Sequence, residues 1–201
     1  MKKIFDFIMM ALLVLMINGC GAGREQEGIG AFSDSNAVQE TKTLLDAEFK
    51  KHYNELSIDG SEIELPCDYT EFMDIGFEAD DKRLKVEKGV PQPVSLKKDD
   101  SCITIYVAYD GEDSVALCED SKVISVLVSR DDSKTLNPEF YKGINFESRE
   151  EDVSKVLDFV QSEGEDSLYA IKMGDYSYLS VSFLDGKVHD IMVINGEGYF
   201  N

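Results

Sequence analysis

The residues of this 201-residue chain whose types could do chemistry are four cysteines, two histidines and a few spaced tyrosines and acidic pairs. Cys20 stands apart, in "MINGCGAG", directly after the apolar run Phe7–Ile17 and before a glycine-rich stretch. Cys67, Cys102 and Cys118 fall within the later, mixed sequence. His189 is followed by Asp190, a pair suited to acid–base work, but no motif sets a nucleophile beside it, so a histidine on a surface strand is the plainer reading. His52 lies far from it. No glycine-rich phosphate loop, no GxSxG elbow, no Cys-x-x-Cys and no His-x-x-x-His pair is present. Asp80-Asp81, Asp99-Asp100 and Asp131-Asp132 lack calcium-loop spacing and read as solvated turns. Catalytic residues, metal ligands and a bound cofactor are therefore not expected.

The leader explains Cys20. Lys2 and Lys3 precede an eleven-residue apolar run, too short for a transmembrane helix, which needs about 20 residues, but right for a secretory signal core. Ile17, Gly19 and Cys20 resemble the lipobox of bacterial lipoproteins, with Asn18 a less usual occupant of the middle position. The resemblance implies cleavage between Gly19 and Cys20 and a diacylglyceryl thioether on Cys20. Two acyl chains anchor stably where one binds marginally, because each buried methylene contributes about 0.8 kcal/mol. The expected location is the outer face of the cell membrane, tethered through lipid.

Loss of residues 1–19 removes Lys2, Lys3 and Asp6 and leaves 18 basic and 39 acidic residues, a net charge of −21. Such a chain is repelled by nucleic acid, which is excluded as a partner. With Cys20 lipidated, Cys67, Cys102 and Cys118 form an odd set in a compartment that permits disulfides. Cys102 and Cys118 flank "DGED" but are not directly opposite, without a bulge, in any hairpin with a loop of two or more residues, so Cys67–Cys118 is the better candidate bridge. Three buried free thiols are the alternative.

The elements that must position these residues follow from periodicity. Residues 1–19 are the signal peptide and 20–34 the lipidated cysteine and a flexible stalk. Within 35–61, Val38, Leu45, Phe49, Tyr53 and Leu56 predict an amphipathic helix from Ser35 to Leu56 and a connector. Residues 62–132 begin with "IELPCDYTEFMDIG", an extended entry and a short helix capped by Asp68 or Thr70 and stopped at Gly76. "GVPQPVSL" follows as an edge strand, then "CITIYVAYD" and "SVALCE" around "DGED", then "KVISVLVS". Residues 133–201 repeat this order: extended Ile144–Phe146, a helix capped at Ser148 with Val153, Val156, Leu157 and Val160 on one face, and strands "SLYAIK", "YLSVSFLD" and "KVHDIMVIN". Turns are expected at Gly174-Asp175 and Asp185-Gly186.

"DSKVISVLV" (120–128) aligns with "DGKVHDIMV" (185–193) at an offset of 65, which together with the shared element order predicts a tandem duplication. Val123, Val126 and Val128, like Val188, Ile191 and Val193, step by three and then two, so a bulge is expected early in each strand. The fold class is α+β: two tandem units, each a short helical segment on an antiparallel meander, preceded by an amphipathic helix.

"GINFESREEDVSKVL", "YLSVSFLDGKVHDIMV", "LPCDYTEF" and "ALCEDSKVISV" resemble segments of a group of Firmicutes cell-surface lipoproteins, over about residues 62–195. Their architecture is similar to the BamE-like outer-membrane assembly domain and to the repeats of beta-lactamase inhibitory protein. Glu147, Ser148 and Arg149 replace the small residues usual in the group before the helix, and "QSEGED" replaces its glycine-rich stop. The motifs are structural and imply fold more than function. The reading that results is a non-enzymatic binding or envelope-assembly module for an envelope or extracellular protein, with Tyr106, Tyr176 and Tyr178 as a candidate binding face. An envelope enzyme with a site of dispersed acidic residues, or a purely structural envelope protein, are the alternatives.

Overall fold

The computed structural model describes residues 47–81, 83–157, 167–172, 174 and 176–199. The signal peptide, Gly19, Cys20, the stalk, the predicted helix before residue 47, and Val160 with the segment after it lie outside the described residues.

The molecule is α+β and mostly antiparallel sheet. Helix α1 (Ala47–His52) leads into the hairpin β1 (Glu55–Ile58) and β2 (Ser61–Glu64). Then come β3 (Cys67–Asp68), helix α2 (Tyr69–Asp74), β4 (Glu78–Ala79), β5 (Lys85–Glu87), β6 (Gln92–Lys98) and β7 (Ser101–Ala108). The chain continues through β8 (Val115–Leu117), a 3-10 turn at Cys118–Asp120, β9 (Lys122–Ser129) and β10 (Pro138–Phe140). Helix α3 (Glu150–Leu157), β11 (Ser167–Lys172), β12 (Ser177–Leu184) and β13 (Lys187–Asn195) complete it.

The main sheet runs β11-β12-β13-β9-β7-β6-β4, with β3 also on β9. Residues 125–129 of β9 pair with β13, and on that same side Val123 and Lys122 pair with Cys67 and Asp68. One row of side chains crosses six strands in register: Val94, Ile105, Val126, Val193, Leu179 and Ile171, all buried. Alternation along each strand makes this row possible, because every second residue of a strand shares a face. The same core contains Phe72 of α2, Val153 and Leu157 of α3, and Leu56, Ile58, Ile63 and Phe140 of a second, three-stranded sheet ordered β10-β1-β2. A two-stranded ribbon pairs β5 with β8.

Local chemistry explains several elements. The backbone amide of Asp68 donates to the Glu71 carboxylate at 3.1 Å at the start of α2, and Gly76 with φ +95° ends that segment. Pro93 sits where β6 has β7 on one side and β4 reaches only Leu96 and Lys97 on the other, so its missing N–H leaves no ladder bond unmade. Asp185-Gly186 (φ +52° and +72°) and Asp59-Gly60 (φ +53° and +82°) are two-residue turns with both central residues left-handed, the type that matches strand twist. Both expected bulges are present: the pairing shifts so that Ile124 is extra on β9 against β7, and His189-Asp190 oppose Ser182 across β12–β13.

Four expectations are corrected. The helix ends at His52, and Leu56 belongs to β1, where it pairs with Ile63 and Phe140, because the Asp59-Gly60 hairpin claims it. The runs flanking "DGED" do not form a hairpin: both edges of β7 are taken by β6 and β9, and β8 pairs with β5 instead. Ser148 does not cap α3; its hydroxyl accepts the Asn145 amide at 3.0 Å, and the first helical amides reach the Arg149 carbonyl. Val156 is 40% exposed, so the buried stripe of α3 is Val153 and Leu157.

Phe72 is fully buried between helix and sheet, with its ring 6.0 Å from that of Phe77. Phe72→Ala is expected to destabilise the fold by about 3–5 kcal/mol, read as a lower urea midpoint at unchanged slope.

Candidate functional site

Of the expected binding tyrosines, the fold brings two onto one face. Tyr106 pairs with Ser125, Ser125 with Ile194, and Ile194 with Tyr178, a row on the side of the main sheet away from the core. Burial raises both phenol pKa values, and the neighbouring Tyr106 raises that of Tyr178 further. Ser125, Met192 and Ile194 around them are buried, so the two rings are packed rather than displayed. Tyr176 is not in this row; it precedes β12, and its carbonyl accepts the Gly196 amide.

Cys67, Cys102 and Cys118 are free thiols. Burial pushes the Cys67 thiol up to about 12, with Glu71 and Asp68 adding to the shift. Burial likewise pushes Cys118 up to about 11, against a hydrogen bond from Tyr69. A thiol held protonated is a weak nucleophile. Cys102 is half-buried and lies 3.0 Å from the Ser95 hydroxyl.

The β13 bulge gathers the polar groups around His189. Its Nδ1 is 3.0 Å from Asp190 Oδ2 and its Nε2 3.5 Å from Asp131 Oδ2, while the Ser182 hydroxyl donates to Asp190 at 2.7 Å. Burial disfavours the imidazolium, yet the hydrogen bond and charge of Asp190 and the charge of Asp131 outweigh it and raise the pKa. Ser182 is bonded to the carboxylate and not to the ring, so the wiring is that of an ion pair and lacks the serine-to-imidazole link of a nucleophile. Among the described residues no group of three or more His, Cys, Asp or Glu is placed to hold a metal, and no helix is long and apolar enough to cross a membrane.

An open concavity lies on the second sheet. Its volume is about 660 Å³, and its lining includes Glu55, Glu62, Glu64, Glu71, Glu139 and Tyr141. Alternation explains the composition: in β1, β2 and β10 the residues Leu56, Ile58, Ile63 and Phe140 turn into the core, so Glu55, Ser57, Glu62, Glu64 and Glu139 turn out. Glu55 is directly opposite Glu64, and Ser57 stands between Glu62 and Glu139. Like charges directly opposed weaken a ladder. Glu55 is relieved by His52 at 2.6 Å, whereas among the described residues Glu62, Glu64 and Glu139 make no ion pair. Tyr141, 7% exposed, packs edge-on against Phe49 with centroids 4.8 Å apart, and its hydroxyl has no hydrogen-bond partner. Lys142, in a left-handed conformation at φ +55°, sets its ammonium 5.0 Å from the Tyr141 ring centroid.

The sequence reading missed this groove. The signal was there in "ELSIDGSEIE", where Asp-Gly separates two short runs with apolar residues at alternate positions. Leu56 also fitted the helical spacing of Phe49 and Tyr53, and that reading absorbed it.

Cys102 is expected to alkylate first in the native protein, with Cys67 and Cys118 labelled only on unfolding, as followed by mass spectrometry. His189 carries a raised pKa in the fold, so its stabilising effect is complete below about pH 6.5, the ordinary histidine value, and is lost as pH rises through the raised one. The difference in Tm between the native chain and His189→Gln should therefore shrink from pH 6 to higher pH. Compared with protein-family models, curated proteins and solved structures, the chain finds no match.

Proposed function

We propose that this chain is a non-enzymatic binding module, tethered through a diacylglyceryl group on Cys20 to the outer face of the cell membrane, that holds an envelope or extracellular protein. The observation that carries the reading is the open groove on the three-stranded sheet, with its outward carboxylates. Exposed sheet surface bearing carboxylates without ion pairs is suited to recognition rather than to stability. Among the described residues, the two carboxylates with displaced pKa values support it from another side. Glu147 is held low by Lys187; at Asp59 burial pushes upward, but hydrogen bonds from Lys98 and from the Asn137 amide outweigh it. Both shifts run opposite to that of a general acid.

The two tandem units belong to the same proposal. Strand order is mirrored about the β9–β13 pair, β6-β7-β9 against β11-β12-β13. Leu127 and Met192, which the offset of 65 equates, are directly opposite each other, as a local two-fold relation between repeats requires. The two bulges, at Ile124 and at His189-Asp190, also fall at about the same offset. A sheet shared between duplicated meanders is also what a relation to BamE-like or beta-lactamase-inhibitory-protein-like repeats would produce.

Two measurements test the proposal. Cys20→Ser should move the protein from the detergent phase to the aqueous phase, and a variant that stays with the membrane fraction would overturn the anchor. A photo-reactive residue at Ser57 should capture a discrete envelope product in cells, and that product should disappear when Glu62 and Glu139 are changed to Gln. No product at Ser57, or one that is indifferent to those changes, would overturn the binding reading.

A further inference from the structure

We infer that Asn195-Gly196 is a self-modification site that the fold holds shut. The pair cyclises and hydrolyses to aspartate or isoaspartate only when the C-terminal end of β13 opens, and the product weakens the closure of that end.

The chemistry starts from the residue pair. Among the described residues Asn195 alone is an asparagine followed by glycine; Asn54, Asn137 and Asn145 precede Glu55, Pro138 and Phe146. Glycine has no Cβ to shield its amide nitrogen or to restrict the backbone beside it. The Gly196 nitrogen attacks Asn195 Cγ: the N–Cγ bond forms and the Cγ–Nδ2 bond breaks. The amide proton passes through water to Nδ2, which leaves as ammonia. Water then opens the succinimide at either carbonyl and gives aspartate or isoaspartate. Solvent supplies the only co-reactant, water, and no redox change occurs.

The closed fold blocks this path at both reacting groups. Asn195 pairs with Ser177 across β12–β13, and the Gly196 amide donates to the Tyr176 carbonyl at 2.9 Å. Gly196 is buried. Ring closure requires rotation about the Cα–C bond of Asn195, which the contacts on either side of that bond prevent while they are made. The side chain is tied as well: Nδ2 donates to the Leu65 carbonyl at 2.8 Å, and Oδ1 accepts the Ser177 hydroxyl at 3.4 Å. Ser177 and Asn195 are the terminal pair of their ladder, and strand ends are where local opening costs least.

The product then acts on the fold. Leu65 is fully buried, and its carbonyl accepts both the Asn195 and the Asn54 amides. Conversion replaces the Asn195 donor with a carboxylate oxygen, so two acceptors face each other where a hydrogen bond stood. The lost tie joins residues 130 apart, the end of β13 and the segment between β2 and β3. Because the ammonia is lost to solvent, each opening that leads to conversion leaves a permanent mark.

The test incubates the full-length protein in neutral detergent at neutral pH, with and without concentrated urea, and follows Asn195 by peptide mass spectrometry. Conversion in the native protein should be at least about tenfold slower than in urea, as a locally opened state requires. Equal rates would overturn the gating. Isoaspartate should appear beside aspartate, and aspartate alone would overturn the ring in favour of direct hydrolysis. Asn54 and Asn145 in the same digest should stay unconverted; conversion of either at the rate of Asn195 would overturn the assignment to the glycine pair. Asn195→Asp should lower Tm by at least about 2 °C, the effect of one lost hydrogen bond with its acceptor left facing another, and an unchanged Tm would overturn the effect on closure. The rate comparison uses the unaltered chain and decides the gating whether or not that variant folds.

Discussion

The row of Val94, Ile105, Val126, Val193, Leu179 and Ile171 is the constraint on which the rest of the structure depends. Its middle is the pairing of β9 with β13, two strands more than sixty residues apart in the chain. Val126 and Val193 are fully buried there, and each fully buried valine contributes roughly 1.5–3 kcal/mol relative to exposure. A slip of one residue between β9 and β13 would turn one strand's apolar set away from the core, so the register is fixed by burial. Helices and the three-stranded sheet then share one core with the face that carries this row, and the outward side of that small sheet is left for water and for the groove.

What was legible in the sequence was mainly what is local. The short helix from Tyr69, the proline-restricted β6, the turn at Asp185-Gly186 and both bulges were read from nearby residues, because each depends on backbone preference or on the phase of one strand. Partnership was not legible. The alternation in "SVALCE" marks a strand but says nothing of its neighbour, and β8 went to β5 because β7 was already filled on both sides. Leu56 satisfied helical and strand spacing at once, and its pairing with Ile63 across the Asp59-Gly60 turn and with Phe140, far along the chain, decides between them. The groove was hidden for the same reason: Glu139 reaches Glu62 through two strand pairings that no local pattern announces.

Electrostatics sort the acidic surface into two classes. Several carboxylates tie segments together, as Asp59 does when it accepts Lys98 and the Asn137 amide, or Glu147 when it accepts Lys187 and lies near Arg130. Exposed pairs of this kind are worth at most about 1 kcal/mol each, so their role is to align loops more than to hold the fold. The carboxylates of β2 and β10 tie nothing together. They stand in one place because strand alternation allows no other direction for them.

The last strand among the described residues also lies in the middle of its sheet. β13 ends at Asn195, and β9 and β12 lie on either side of it. Without β13 the edges of β9 and β12 that it covers would both stand open, so the six-strand row closes only through this one strand.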